Sequence, residues 1–599
     1  AKAAPTPLTA SPVVEAPTSP AAATGATPQD TAATGGPAAP QAKPDRKPVK
    51  TSDAAAQAPP EPAPAAAPAP ADRVAVPPME ETEEFQAHLS RPGAAGPAPI
   101  KPAAGAKDPA DSSATAPLSL AEARSLLEDT KLLREAGDRQ GALQRYAQVQ
   151  RQFAQDSSPG GLIVLALAEL GIATMRHQAG ESAAARAACD QLRDRLAAHP
   201  EPTVAVQALE AQLLKAGFLH ADQQADEELR TLDEAIAQFR DRREPVLAER
   251  VAHALLSKGS LLGQLGNQAG SIAAFDELVE RYQGATEVPI AEQVARGLTA
   301  KAVRLLQARD PAGHAAALEQ VLRLYGDRTE AAFAGPLSFA LFSKALRSSQ
   351  AGDVPGSLAL YEQVITRYRD HSSPETDEWI AKSLFNRGVR LPALEAIPHY
   401  DEVVSRFGEH HDPGMGQLCV TALVNKGVTL GQLGRLEEEL QAYDEAVRRY
   451  GDRREPAIAR QAAKALVSKG NSLRRANRQA EAIAAFSDLL NRFAGRTEPV
   501  LAEQLVRGLV GKASALGEAG DTRQALEVYD SVLQRFGTQT DKPVAGAVAV
   551  AVLYKAVVLE SLGDTPGALS WLKKHAARLT ALTDQYAKEW QALRKKLGL

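Results

Sequence analysis

Cysteine is nearly absent from this chain. Its two thiols, Cys189 and Cys419 in 599 residues, are too few and too far apart for a disulfide framework or a zinc site. Both stand in helical patterns, where cysteine serves as a small apolar filler. Aromatic residues make up only 5%, although a chain this long exceeds what one hydrophobic core usually serves. Many small cores in series fit that combination better than one large core. Charge of either sign is not in excess: the net of −5 supplies no field to draw nucleic acid or anionic lipid. No unbroken run of 18 apolar residues occurs, so no membrane span is expected. Runs of Val, Ile and Thr at period two are missing, which leaves helix as the regular structure.

The motifs of common chemistry are missing too. There is no GxxxxGK[ST] phosphate loop, no HExxH, no GxSxG elbow and no GxGxxG in a βαβ setting. His410 and His411, followed by Asp412, have no further ligands at a suggestive spacing. Paired carboxylates such as Glu437 and Glu438 lie on helices with no sign of burial. The expectation is a protein that is not an enzyme, with no catalytic residue, no metal, no cofactor and no small-molecule substrate.

Residues 1–117 hold 24 of the 40 prolines and a single aromatic, Phe85. That composition buries too little apolar surface to offset chain entropy and predicts a disordered Ala/Pro-rich linker, reaching roughly 60 Å as a flexible coil. One island, Met79 to Ser90, is acidic and proline-free, with Phe85 and Leu89 one helical turn apart. A short docking helix or a solvated acidic patch both fit it. The chain begins at Ala1, which leaves a processed product or a fragment as readings.

From Ser119 onward the chain repeats itself. Ala422 to Tyr450 recurs as Ala465 to Phe493 and as Gly508 to Phe536, each 43 residues on. Helix formers dominate, and the first unit reads as a helix capped by Ser119 and stopped by Gly137, followed by a second helix after a tight turn. One position of the second helix falls at Tyr146, Cys189, Leu232, Phe275, Leu318, Tyr361, Tyr400, Tyr443, Phe486, Tyr529 and Leu572. Every step is 43 except that from Tyr361 to Tyr400, which is 39. A second apolar series lies seven residues further on, from Phe153 to Leu579, and so faces the same side, where the next hairpin must cover it. Periods of 20 to 50 residues mark solenoids, whose units bury their faces on one another. Eleven hairpins are expected over 118–580, with a capping helix within 581–599.

These hairpins resemble tetratricopeptide repeats (TPR). The family's A-x3-F element reads Ala142 and Tyr146, Ala482 and Phe486, Ala525 and Tyr529. Its Leu-Gly pair reads Lys258 and Gly259, Lys426 and Gly427, Lys469 and Gly470. The unit is longer than the family's 34 residues. Connectors such as Gly451 to Pro456 and Arg240 to Pro245 replace the closing proline, so the extra length is expected in the first helix and its connector. The resemblance implies an all-α solenoid, a right-handed superhelix, working as a scaffold that binds a peptide or helix of a partner in its concave groove. The alternative is the sensor or regulatory arm of a larger protein whose effector or membrane anchor lies upstream of residue 1. Partners are expected to be proteins or peptides, not nucleic acid, and the chain a monomer. Its location is expected to be cytoplasmic, or periplasmic or tethered if an upstream signal or anchor was removed. The abundance of Ala, Pro and Arg has the look of a bacterial chain.

Two groove patches follow from the family's inner positions. The aromatic one is Phe339, Phe342, Phe385 and Val389, beside the short step, where Pro392 and Pro398 should distort a hairpin and alter its stacking. The polar one is Lys464, Asn471, Arg474 and Arg475, suited to acidic side chains. A basic ladder, Lys215, Lys258, Lys301, Lys344, Arg387, Lys426, Lys469, Lys512 and Lys555, either lines the groove or packs between helices with its charges on second-helix acids such as Asp276, Asp401, Asp444 and Asp530.

Overall fold

The structure is a computed structural model that describes residues 117–599 apart from 494, 497 and 583. The linker 1–116 and its acidic island lie outside the described residues, as do the expectations placed on them.

Among the described residues there are helices and no strands. First helices run α1 Leu120–Glu135, α3 Pro159–Gln178, α5 Pro202–Ala221, α7 Pro245–Gln264, α9 Val288–Gln307 and α11 Ala334–Gln350. They continue as α13 Pro374–Arg390, α15 Pro413–Gln432, α17 Pro456–Arg475, α19 Pro499–Glu518 and α21 Lys542–Ser561. The second helices between them are α2 Arg139–Phe153, α4 Ser182–Leu196, α6 Ala225–Gln238, α8 Gln268–Tyr282, α10 Pro311–Tyr325 and α12 Val354–Tyr368. After these come α14 Ala393–Phe407, α16 Leu436–Tyr450, α18 Gln479–Phe493, α20 Thr522–Phe536 and α22 Thr565–Lys574. A 3-10 turn, Ala576–Ala581, leads into the closing helix α23, Asp584–Leu597. The result is an α-solenoid of eleven hairpins.

Local chemistry sets each boundary. Proline opens most first helices at N1 or N2, where its missing N–H costs nothing. In ten of the eleven hairpins the turn places one residue in the left-handed region: Gly137, Gly180, Gln223, Gly266, Arg309, Gly352, Gly434, Asn477, Gly520 and Gly563. The next residue often caps the second helix. Asp138, Asn267, Asp310, Asp353 and Asp564 each accept a hydrogen bond from the amide of a glycine three residues on, and a Cβ on that glycine would collide with the capping side chain.

Packing alternates in size. The second-helix aromatics Phe275, Tyr361, Tyr400, Tyr443, Phe486 and Tyr529 are fully enclosed. They approach the first helix where it has no side chain: Gly259 against Phe275, Gly388 against Tyr400, Gly427 against Tyr443 and Gly470 against Phe486. Successive first helices also touch one another, while successive second helices scarcely do. The first helices therefore form the inner wall of the curve and the second helices its outer wall.

The short step is absorbed locally. Helix α13 ends at Arg390, three residues before the point its neighbours reach, and Leu391 turns out to extended backbone (φ −78, ψ 156) because Pro392 follows it. Leu391 and Pro392 are the whole turn, one residue fewer than elsewhere, and no left-handed residue occurs in it. Helix α14 keeps its 15 residues with Pro398 inside and still buries Tyr400 and Phe407. The expected distortion of that hairpin is thus confined to one lost turn of α13. Its two sides differ: α13 packs less closely on α15 than on α11.

Two helices correct the reading of apolar runs. Helices α3 and α21 are 20 residues long, with mean hydropathy of 1.3 and 1.8 over their most apolar stretches, enough to cross a membrane by length and composition. Polar residues interrupt both, so neither is an unbroken apolar run. In the solenoid each lies between neighbouring hairpins, with Val164, Leu165, Val548 and Leu553 in the core. Cys189 and Cys419 are free and buried, and burial pushes their thiols up to about 12 and about 11.

Candidate protein-binding surface

The basic ladder resolves into ion pairs between hairpins. Each cation on a first helix meets an acid 25 residues earlier, on the preceding second helix: Lys215 with Asp190 at 2.8 Å, Lys258 with Asp233 at 2.6 Å, Lys301 with Asp276 at 2.5 Å and Lys344 with Glu319 at 2.9 Å. Arg387 with Glu362, Lys426 with Asp401, Lys469 with Asp444 and Lys555 with Asp530 continue the series. At Lys512 the acid's place is taken by Ser487. Here the stems pack and the charges are matched, so the ladder staples the stack.

The connectors are stapled similarly. Arg242, Arg328, Arg453 and Arg496 each bind the glutamate two residues on. Arg496 also donates to the carbonyls of Arg453 and Arg454 in the preceding connector, at 3.1 and 2.8 Å, and Arg367 donates to that of Arg328 at 2.6 Å. Their charges tie one repeat to the next. His410 and His411 lie in such a connector: His410 Nδ1 accepts from the Asp412 amide at 3.2 Å, and Asp412 caps α15 by accepting from the Met415 amide at 2.9 Å.

The aromatic patch is core. Phe339, Phe342 and Phe385 are 1%, 7% and 0% exposed. Trp379 of α13 covers the first two, with ring centroids 5.0 and 5.3 Å away, while Phe385 lies 6.0 Å from Tyr400. Val389 is half-buried against the same cluster. Above them Arg296 of α9 reaches Glu375 of α13 at 3.6 Å, across α11. Helix α11 permits this because Gly335 stands beneath, where a Cβ would collide with the Glu375 carboxylate. Lys382 closes the edge, 4.7 Å from the Trp379 ring and 2.5 Å from Glu378. The expected aromatic pocket is therefore corrected to a sealed stretch of inner wall. Trp379 and Gly335 were not singled out from sequence, although the repeat register places Gly335 on the inner stripe and Trp379 one residue beside it.

The polar patch is brought together in part. Arg460, Lys464, Ser468, Asn471 and Arg475 form one stripe along α17, each partly or fully exposed. Arg475 donates to Ser472 Oγ at 3.0 Å and stands 4.0 Å from Glu439. Arg474 leaves the stripe: its side chain is 9% exposed and binds Glu518 of α19 at 3.1 Å. Arg507 of α19 joins instead, held by Glu503 at 2.6 Å, which Arg460 also approaches at 3.7 Å. Burial raises the carboxyls of Glu439 and Glu518 above the usual range, against the pull of Arg475 and Arg474. The stripe is thus a row of preoriented cations and amides, able to receive carboxylates.

A tetratricopeptide-repeat model matches residues 394–454 and 510–592. A search of curated proteins finds no match. Among solved structures the chain is similar to Naa15/Naa10 bound to HypK-THB, at 16% identity and a TM-score of 0.28 over 77% of this chain and 80% of that one. It is similar to the TPR domain of P58(IPK), at 15% identity and a TM-score of 0.22 over 73% and 98%. It is also similar to IFIT1 with m7Gppp-AAAA, at 13% identity and a TM-score of 0.27 over 65% and 81%. The family model falls on helical hairpins that carry the small-residue and aromatic pairing of the repeat, so residues 394–454 and 510–592 are tetratricopeptide repeats.

Proposed function

We propose that this chain is a protein-interaction scaffold with no chemistry of its own, and that its partner lies along the inner wall over α15, α17 and α19. Repeats of this family support the scaffold reading. The finer assignment rests on the open polar stripe of α17 and α19, Arg460, Lys464, Ser468, Asn471, Arg475 and Arg507. The wall at α11 to α13 is sealed by Trp379 and the Arg296–Glu375 pair, whereas this stretch is not. Cations already aimed by buried or shared glutamates lose little side-chain entropy when a carboxylate arrives, so the partner segment is acidic.

Affinity capture with the full chain, run beside a Lys464→Glu/Arg475→Glu variant of unchanged thermal stability, tests this. A partner captured by the parent and lost by the variant is the expected result. The same partner captured equally by both would overturn the assignment to α17.

A further inference from the structure

The inner wall also shows how it takes a helix. Helix α23 stands one 43-residue step after α21 and packs on the last first helix. Tyr586 meets Tyr554 edge-on with ring centroids 6.1 Å apart, Glu589 stands near enough to feel the Tyr554 hydroxyl, and Leu593 is buried. Tyr554 occupies the inner-stripe place of Ser468 two repeats earlier. The segment seated there reads Glu589-Trp590-Gln591-Ala592-Leu593.

The acidic island outside the described residues contains nearly the same run, Glu84-Phe85-Gln86-Ala87-His88-Leu89, preceded by Glu80, Glu81 and Glu83. Its apolar residues sit at i and i+4, the spacing of a helix laid in a groove. Its four glutamates complement Arg460, Lys464, Arg475 and Arg507.

Resting on the reading of α17 as the binding surface, we propose that the island Met79–Ser90 docks on the α17–α19 stripe of a second copy of the chain. Phe85 and Leu89 would lie toward the wall and the glutamates toward its cations. A second copy is favoured by reach. From Ser90 to α1 the chain has about 29 residues, which as a coil span roughly 30 Å. Eight first-helix steps, at about 8 to 10 Å each, separate α1 from α17. The tail of one molecule therefore meets the far end of another more readily than its own.

The test uses the full chain in two forms. A labelled peptide of Met79–Ser90 is titrated into a Phe85→Ala/Leu89→Ala chain, whose own island is blunted, with and without Lys464→Glu/Arg475→Glu. Saturable binding that weakens roughly tenfold on charge reversal and with added salt is expected. Sedimentation of the unsubstituted chain should show concentration-dependent association that the Phe85→Ala/Leu89→Ala chain loses. No saturable binding, or binding indifferent to charge reversal, would overturn the docking site. A monomer at every concentration despite peptide binding would place the island on its own molecule and overturn the second-copy assignment. If the peptide fails while a captured partner still depends on Lys464 and Arg475, only this inference falls, not the scaffold reading.

Discussion

Lys426 of α15 and Asp401 of α14 meet at 2.5 Å, 25 residues apart in sequence, and the same pairing recurs from Lys215 with Asp190 to Lys555 with Asp530. Because Asp401 keeps half its surface in water, each rung is weak alone. A double-mutant cycle on Lys426→Ala and Asp401→Ala should give a coupling of about 0.2 to 1 kcal/mol that shrinks in high salt. A coupling of several kcal/mol would mean that the ladder holds the stack by itself.

Gln212 of α5 is fully buried, and neither its Oε1 nor its Nε2 has a hydrogen-bond partner among the described residues. The same place in the next seven repeats is Leu255, Leu298, Leu341, Leu384, Leu423, Leu466 and Leu509, and in the last it is Val552. Gln212→Leu should stabilise the solenoid by about 1 to 3 kcal/mol, by removing an unsatisfied amide from the core. Denaturant unfolding measures it, and a loss of stability would show that the amide has a partner.

Arg309 occupies the turn position that seven other hairpins give to glycine, at φ 60. An L side chain there costs roughly 1 kcal/mol. Arg309→Gly should therefore raise the melting temperature by a few degrees, whereas Gly352→Arg should lower it.

Glu439 of α16 stands where the family favours a small residue, 3% exposed, accepting from Ser472 Oγ and from the Tyr443 hydroxyl at 3.3 Å. Burial raises its pKa above the ordinary 4.5 despite those bonds. A carboxyl whose folded pKa is raised contributes stability that is fully present below its unfolded pKa and is lost as pH rises through the folded one. The parent should thus lose stability relative to Glu439→Gln as pH climbs from about 4 toward neutrality. A difference independent of pH would show the group to be ionised without penalty.

The fold was legible because one physical demand repeats. Each hairpin must bury a large apolar residue, most often an aromatic such as Tyr443, against a small one such as Gly427, so residue type and spacing return together. The 39-residue step was legible as a deletion, but not that α13 would lose a turn while α14 stayed whole, since that outcome depends on Tyr400 and Phe407 holding α14 in the core. The ladder's acids could be named in advance because 25 residues is fixed by the hairpin. The inner wall was harder to read. Whether Phe339 and Phe342 face a groove or a neighbour depends on how far α13 leans over α11, and that is decided by Trp379, Glu375 and the bare Gly335 acting together. Arg474 and Arg475 are adjacent in sequence, yet one is spent on Glu518 and the other is left on the stripe.

The scaffold reading is tested most directly by amide hydrogen exchange on the full chain, alone and with a partner captured through Lys464 and Arg475. The account predicts slowed exchange concentrated in the first helices α15, α17 and α19, with α16, α18 and the connectors unchanged. Protection falling instead on the second helices or on the connectors at Gly451 to Pro456 would contradict an inner-wall site.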